Sequence, residues 1–363
     1  MIIPFVCYSC GQCIAHVYQK YLDLITKVTE VEAMEKLNVT RLCCRRMIFC
    51  HHDTARIMNY NAPSNYTGYE KISDQFIEYS KRYNTAYEQN KDPVRKYNNA
   101  MKELIIKRAI TLAKIKGSLR VIDIAGGLAP DTTRFNDTGI FKNYIDIDYA
   151  VDNNSIDTIL DRYSSIIEKM DTFEVIKSDI NSEMISGSLE NGNLLFKNSE
   201  NPRPTKFNMI SCFFGLHYFI NENTGDILKD IYSLLDTNNA VFIGAIVNFE
   251  SVRFNQESHS LYSITDVETG NIKINNQIVA IKKYRFSYPH LNVLNSYEIA
   301  VEPTSFAKAL SNSFPGYTVE IVPFDQMTKK ARALWNSVKP EYSLDAANKQ
   351  LFDLYSTMIV YKK

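Results

Sequence analysis

The seven cysteines of this 363-residue chain are spread very unevenly. Six fall within the first fifty positions, Cys7, Cys10, Cys13, Cys43, Cys44 and Cys50, and only Cys212 lies beyond. Thiolates are strong ligands for soft metal ions, and a C-x-x-C step brings two of them to one side of a tight turn. Cys7-Tyr8-Ser9-Cys10-Gly11 has that form, with a glycine behind the second thiol to permit the turn. Cys43-Cys44 offers a second pair, provided the chain enters a turn or a helix there, because adjacent residues rarely face one ion from a regular element. Tetrahedral coordination by Cys7, Cys10, Cys43 and Cys44 would be a closed, structural zinc site. Cys13, Cys50, His51 and His52 are alternative ligands, and a set of buried free thiols is the plainer reading.

A second group of residues suits a different chemistry. Asp123 precedes Ala125-Gly126-Gly127, Asp146-Ile147-Asp148 follows roughly twenty residues later, and Asp179 closes a third apolar run. Glycine lets the backbone approach a ligand closely, and a carboxylate at the next strand end can accept from ribose hydroxyls. Dehydrogenases show G-x-G-x-x-G at this place, and this chain does not. Acids at three successive strand ends around a glycine turn fit a nucleoside ligand such as S-adenosylmethionine better. As ordinary strand-end carboxylates they would carry no function at all.

Those side chains need elements to hold them. Val17 to Thr26 and Val31 to Leu37 have apolar residues at helical spacing, and a third helix is expected after Cys44. About sixty residues make too small a core to stand alone, and a metal is the usual remedy. Asn61 to about Asp92 is polar, with a helix expected from Asp74 to Tyr87; the domains read as 1–62, a linker over 63–92, and 93–363. Beyond it a helix over Arg95 to Lys116 and a strand from Leu119 open an alternation typical of a doubly wound α/β domain. Strands are expected at Asn143–Asp148, Val175–Asp179, Phe207–Phe214 and Ala240–Val247, with a helix at Asp226–Leu235. The fold class is therefore α/β, a three-helix zinc bundle followed by a Rossmann-like domain.

Composition narrows the function. Hydrophobic residues at 45% and charged residues at 23% are globular values. Forty-one basic residues balance forty-one acidic ones, so the chain does not coat nucleic acid through bulk charge. Its longest apolar run, Ala240 to Val247, is far below the ~20 residues of a membrane helix. The start at Met1 has no basic stretch and no signal-length apolar region. The expectation is a soluble intracellular protein with no membrane partner, whose clustered thiols bind metal rather than form disulfides.

Two resemblances sharpen these readings. Met1-Ile2-Ile3-Pro4-Phe5-Val6-Cys7-Tyr8-Ser9-Cys10-Gly11, with Leu42-Cys43-Cys44-Arg45-Arg46-Met47, resembles the small zinc-binding tenth subunit of eukaryotic and archaeal RNA polymerases. It covers Met1 to about Tyr60 and implies a three-helix zinc bundle docked on the large subunits of a multisubunit polymerase, with Arg45 and Arg46 as docking residues.

From about Arg95 to Lys363 the chain resembles the mRNA cap guanine-N7 methyltransferases. Arg95-Lys96-Tyr97-Asn98-Asn99-Ala100-Met101-Lys102 is similar to that family's R-x-x-N-N-x-x-K helix, and Asp123-Ile124-Ala125-Gly126-Gly127 stands at its D-L-G-C-G. Asp146, Ser155 and Arg162-Tyr163 follow its spacing; Phe207 to Phe219 resembles its F-D-x-x-S-x-Q-F-x-x-H-Y-x-F run. Ser296 to Val301 is similar to its P-E-Y-L-V segment, and Leu354-Tyr355-Ser356 to its last strand. The resemblance implies that Lys102, Asp123, Gly127, Asp146, Asp179 and Tyr218 line the S-adenosylmethionine pocket. It also implies that Asn98, Asn99, His217, Glu298 and Tyr355 surround the cap guanine, with Arg162 facing its phosphates. No general base is expected, since guanine N7 is already nucleophilic and rate comes from proximity and orientation. Three positions depart from the pattern: Ala125 for glycine, Leu128 for a lysine, Phe213 for a glutamine, and a β-carbon at 125 is expected to crowd the cofactor.

Together these imply a polymerase subunit fused to a capping enzyme, acting on the 5′ end of capped mRNA, with a stimulatory capping subunit as a further partner. Tethering would raise the concentration of the capping domain at emerging RNA. Such a fusion resembles the product of a large cytoplasmic DNA virus, which would place it in the virus factory and the virion. The rival reading is a non-enzymatic transcription subunit whose methyltransferase-like domain serves as a docking or RNA-binding module. A methyltransferase acting on a small molecule or a protein is the third.

Overall fold

The computed structural model describes residues 7–49 and 93–362, except for positions 8, 9, 11, 26, 27, 254–261, 289–292, 325, 328–350 and 352. The expected helix at Asp74–Tyr87 and the alternative ligands Cys50, His51 and His52 lie outside the described residues. The chain divides into two compact units, residues 1–70 and 71–363.

The first unit holds three helices, α1 (Ala15–Leu24), α2 (Glu30–Lys36) and α3 (Leu42–Phe49). Thr29 starts α2 with a capping box: its side chain accepts from the Glu32 amide, and the Glu32 carboxylate accepts from the Thr29 amide. Ile14, Tyr18, Tyr21, Ala33, Met34 and Ile48 make a small core around Cys7 and Cys44. The third helix begins before the cysteine pair rather than after it, so both thiols sit in its first turn.

The second unit is built on an eight-stranded sheet ordered β10-β11-β6-β5-β1-β2-β3-β4. Its central strands are β1 (Leu119–Ile124), β2 (Phe141–Asp148), β3 (Thr172–Lys177), β5 (Met209–Cys212) and β6 (Val241–Val247), all parallel. The strands β10 (Thr318–Pro323) and β11 (Tyr355–Tyr361) run antiparallel to each other, as β11 does to β6. The opposite edge is β4 (Asn193–Lys197), antiparallel to β3. Strands buried on both faces must be apolar throughout, and Val241-Phe242-Ile243-Gly244-Ala245-Ile246-Val247 is buried at every position. The chain winds outward from β1 to β3, then returns to β5 on the other side of β1. That reversal opens a crevice at the carboxyl ends of β1, β2 and β5, where doubly wound sheets bind their ligands.

Helix α4 (Pro93–Leu112) opens with proline in its first turn, a position that needs no amide donor. It packs against β6 and β11. Asp152 caps α6 (Asn153–Ile167) through a reciprocal pair with Ser155, and Ile156, Ile159, Tyr163 and Ile167 form its buried stripe. Between them lies the short α5 (Thr132–Asn136). After β6 comes a second, three-stranded antiparallel sheet of β7 (Ser263–Ile274), β8 (Gln277–Tyr288) and β9 (Val293–Val301). The two long strands β7 and β8 have no counterpart in the sequence reading. Their turn, Asn275-Asn276, has both residues at positive φ (44° and 66°), the conformation of a tight two-residue hairpin.

Candidate metal centre and active site

In the first unit, one ligand atom from each of Cys7, Cys10, Cys43 and Cys44 lies within 4.8 Å of the others. Cys10 Sγ and Cys44 Sγ are 3.5 Å apart. A tetrahedron of thiolates with zinc–sulfur bonds near 2.3 Å spaces its sulfurs by about 3.8 Å, so the set fits zinc. Among the described residues this is the only such cluster, and Cys13 is not part of it. The Gln12 amide and the Arg41 guanidinium bring the Cys10 thiol down to about 6, whereas burial and the neighbouring Cys10 push Cys44 up to about 12. Four thiolates this close need a cation between them. Arg45, expected to face a partner, turns its Nε to the Val39 carbonyl at 2.6 Å and closes the loop before α3. The side chain of Arg46 lies outside the described set.

In the second unit the crevice gathers the strand-end acids. Asp123 is buried at the end of β1 and accepts from Ser211 Oγ (2.7 Å) and Tyr144 Oη (3.0 Å). Burial, then the nearby Asp131 charge, raises its pKa to about 7, against the pull of Ser211 and Lys102. Asp146 pairs with Asp123 across the β1–β2 register and is fully buried; among the described residues only the Gly126 amide reaches its carboxylate, without the geometry of a regular hydrogen bond. Its pKa stands well above the ordinary carboxylate value, through burial first and the Asp123 charge second. A β-carbon on Gly126 would overlap the Asp146 carboxylate and come within 3.0 Å of Asp123 Oδ2, so only glycine keeps this cradle open. Two acceptors facing a glycine-walled recess are what a ribose diol requires, and the site fits S-adenosylmethionine. Gly127, at φ +61°, donates its amide to Asp148 Oδ2 (2.9 Å), which locks the turn to the end of β2. Asp179 is partly exposed beyond β3.

Lys102, on α4, meets Asp131 Oδ2 at 2.6 Å, and its ammonium lies 5.3 Å and 5.6 Å from the Phe213 and Phe214 ring centres. Where the family resemblance expects glutamine, an aromatic ring thus carries the lysine through a cation–π contact. Arg134 ties the same corner together: it donates to Asp131 Oδ1 (2.7 Å), the Pro130 carbonyl (2.7 Å) and the Asn99 carbonyl (3.2 Å). Neither Asp131 nor Arg134 belongs to a motif that the sequence displays.

Ala125 packs against a glycine of the loop after β5. Ala125 has φ +56°, and a β-carbon added at Gly215 would lie 2.8 Å from that of Ala125. The alanine occupies space that Gly215 vacates, and it packs against the apolar core. Leu128 packs against the main core, in which Phe213 is buried.

A second cluster stands around β8, β9 and the loop after β5. Glu298 is buried, accepts from Tyr284 Oη at 2.7 Å, and has its other oxygen 3.8 Å from His217 Nε2. Both ring nitrogens of His217 are buried with no hydrogen-bond partner among the described residues, and burial lowers its pKa against the pull of the Glu298 charge. Tyr218, about half exposed, has its ring 4.0 Å from that of His217, tilted by 54°, and shares a hydrogen bond with Ser296 (3.2 Å). Tyr355 packs edge-on against Phe214 at 5.2 Å, within electrostatic reach of Glu298 and Tyr218. The crevice thus brings His217, Tyr218, Glu298 and Tyr355 into one group, whereas Arg162 is exposed on α6 beside Tyr163. Asn98 and Asn99 are half-buried on α4, and Asn98 Oδ1 is buried with no hydrogen-bond partner among the described residues.

Comparison with known proteins separates the same two parts. Residues 2–58 match the family described as RNA polymerases N / 8 kDa subunit, and residues 69–293 match the mRNA (guanine-N(7))-methyltransferase domain. The chain belongs to both families. Over 63 residues it is 44% identical to the Brassica napus DNA-directed RNA polymerases I, II, and III subunit RPABC5, which covers 17% of this chain and 89% of that one. It is 47% identical over 55 residues to the Methanopyrus kandleri DNA-directed RNA polymerase subunit Rpo10, covering 15% and 76%. Among solved structures it is similar to a TehB-like SAM-dependent methyltransferase from Corynebacterium glutamicum, with 12% identity, TM-score 0.38 and coverage of 81% and 100%. The plantazolicin methyltransferase BpumL in complex with SAH gives 11% identity, TM-score 0.41 and coverage of 78% and 90%. This chain therefore joins an RNA polymerase subunit domain to an mRNA guanine-N7 methyltransferase domain. The matched methyltransferase region ends at residue 293, so Glu298 and Tyr355 stand on geometry and on the residue pattern alone.

Proposed function

We propose that the second unit methylates guanine N7 of mRNA caps at the crevice between the two clusters. The observation that carries the reading is Glu298: a buried carboxylate with one oxygen held by Tyr284 and the other 3.8 Å from the buried His217 ring. Guanine presents N1–H and N2–H₂ side by side, and a carboxylate can accept from both. Tyr355 offers a face for stacking against the base, and Tyr218 lines the cofactor recess beside it. Asp146, below Gly126, accepts the ribose diol of S-adenosylmethionine, while Asp123, Gly127, Lys102 and Asp179 line the rest of that recess. The cofactor supplies an electrophilic sulfonium methyl group. The chain supplies no base; its buried side chains hold the reacting atoms in line and keep water out. Asn98, Asn99 and Arg162 would meet the remainder of the cap.

The four thiolates of the first unit hold one structural zinc ion, and that unit docks on the large subunits of a multisubunit RNA polymerase. Capping is thereby tied to transcription, in an arrangement that suits a large DNA virus replicating in the host cytoplasm, with a stimulatory subunit as a further partner. The three departures favour the alternative, a silent docking or RNA-binding module, whereas the retained Lys102, Asp123, Asp146, Asp179 and Glu298 favour the enzyme. Glu298→Gln tests the reading. It should keep S-adenosylmethionine binding and lose most methyl transfer to capped RNA, because an amide puts a donor against a guanine donor at about 1–3 kcal/mol. Transfer that survives the change would remove Glu298 from the cap pocket.

A further inference from the structure

We infer that Tyr284 is the positioning residue that sets the base specificity of the cap pocket, acting through Glu298; the inference rests on the cap reading above. The two residues lie directly opposite each other in the β8–β9 register, Tyr284 against Glu298. Both face inward, Tyr284 at 1% and Glu298 at 4% exposure, so neither exchanges its hydrogen bond with solvent. The hydroxyl donates to Glu298 Oε2 at 2.7 Å, and the remaining oxygen stands 3.8 Å from His217 Nε2, beyond hydrogen-bond range.

A carboxylate has about four lone-pair positions, two on each oxygen. Guanine's two adjacent donors need both oxygens at once, each through the lone pair that points toward the other oxygen's side. Tyr284 takes one lone pair of Oε2 and leaves the second, with both lone pairs of Oε1, for a ligand. A carboxylate on two side-chain methylenes would otherwise turn about its last bond, a torsion with a broad and nearly two-fold profile. One fixed hydrogen bond removes that freedom and decides where both guanine donors must sit. The hydroxyl itself is kept protonated by burial and the Glu298 charge, which hold its pKa well above the ordinary tyrosine value.

The test uses the full chain, RNA capped with guanosine, and RNA capped with inosine, which lacks the exocyclic amine. The two RNAs compete in one tube, so a sample that is only partly folded still reports the ratio of the two kcat/KM values. Wild type should prefer guanosine, by about tenfold or more for one charge-assisted hydrogen bond. Tyr284→Phe should shrink that preference towards one, raise KM for guanosine-capped RNA about tenfold, and leave S-adenosylmethionine affinity unchanged. In a Glu298→Gln background the same substitution should have little further effect, because it acts through the carboxylate. A purely structural tyrosine would lower turnover of both caps equally. A Tyr284→Phe enzyme that keeps the full guanosine preference overturns the inference and leaves the cap reading standing. Wild type that methylates neither RNA overturns both.

Discussion

Replacing Asp123 with asparagine should make the ligand-free methyltransferase unit more stable at neutral pH while destroying its cofactor site. The folded carboxyl titrates at about 7 against an ordinary 3.8, with burial as the main cause and Asp131 as the second. A carboxyl that stays protonated to higher pH in the folded chain than in the unfolded one favours the fold at low pH. That contribution is lost as pH rises from about 4 to about 7, and above 7 the penalty is constant. About three pH units at 1.36 kcal/mol each give about 4 kcal/mol at most. Even a quarter of that moves the unfolding midpoint of a unit this size by roughly 1–2 °C. Asparagine keeps an acceptor for Tyr144 and can donate to Ser211, so the substitution fits the local network. The assay is thermal unfolding of both proteins from pH 4 to pH 8, beside calorimetry with S-adenosylmethionine. The variant should gain on wild type steadily up to pH 7 and bind cofactor at least tenfold more weakly. A difference independent of pH, or a variant less stable at pH 7.5, would refute the electrostatic reasoning.

The full chain should carry about one zinc per molecule; Cys44→Ser or a strong chelator should release it and reduce helical circular dichroism, since metal binding and folding are coupled in so small a unit. Retained helicity in a metal-free protein would contradict this. Gly215→Ala should cost about 1–3 kcal/mol, because its β-carbon would stand 2.8 Å from that of Ala125 and 3.3 Å from Cys212 Sγ. Adding Ala125→Gly should recover much of the loss, and purely additive effects in chemical denaturation would show that the two positions are not interlocked.

Much of the fold was legible because buried parallel strands write themselves as apolar runs. Leu119–Ile124 and Phe141–Asp148 stand close to where their β-branched residues and terminal acids put them. The cysteine module was legible for a different reason: four thiols have few productive arrangements. The second sheet was not read, because β7 and β8 are long, half-exposed strands whose charged residues conceal the alternation. Tyr284, Phe286 and Tyr288, buried at every second position, were the available signal, together with the Asn275-Asn276 turn. Asp131 and Arg134 gave none, since their importance comes from Lys102 and Asn99, far away in sequence. The compensation of Ala125 by Gly215 is likewise a contact over ninety residues, visible only once β1 and β5 lie side by side.

The central claim is methyl transfer to guanine N7, and the position of the transferred methyl group tests it most directly. Full-length protein is incubated with guanosine-capped RNA and methyl-labelled S-adenosylmethionine, and the cap is released by nuclease digestion and resolved. The label should appear in 7-methylguanosine cap dinucleotide with wild type, and should be nearly absent with Glu298→Gln although the cofactor still binds. Wild-type protein that binds the cofactor yet leaves the cap unlabelled, or labels another atom, would contradict the claim.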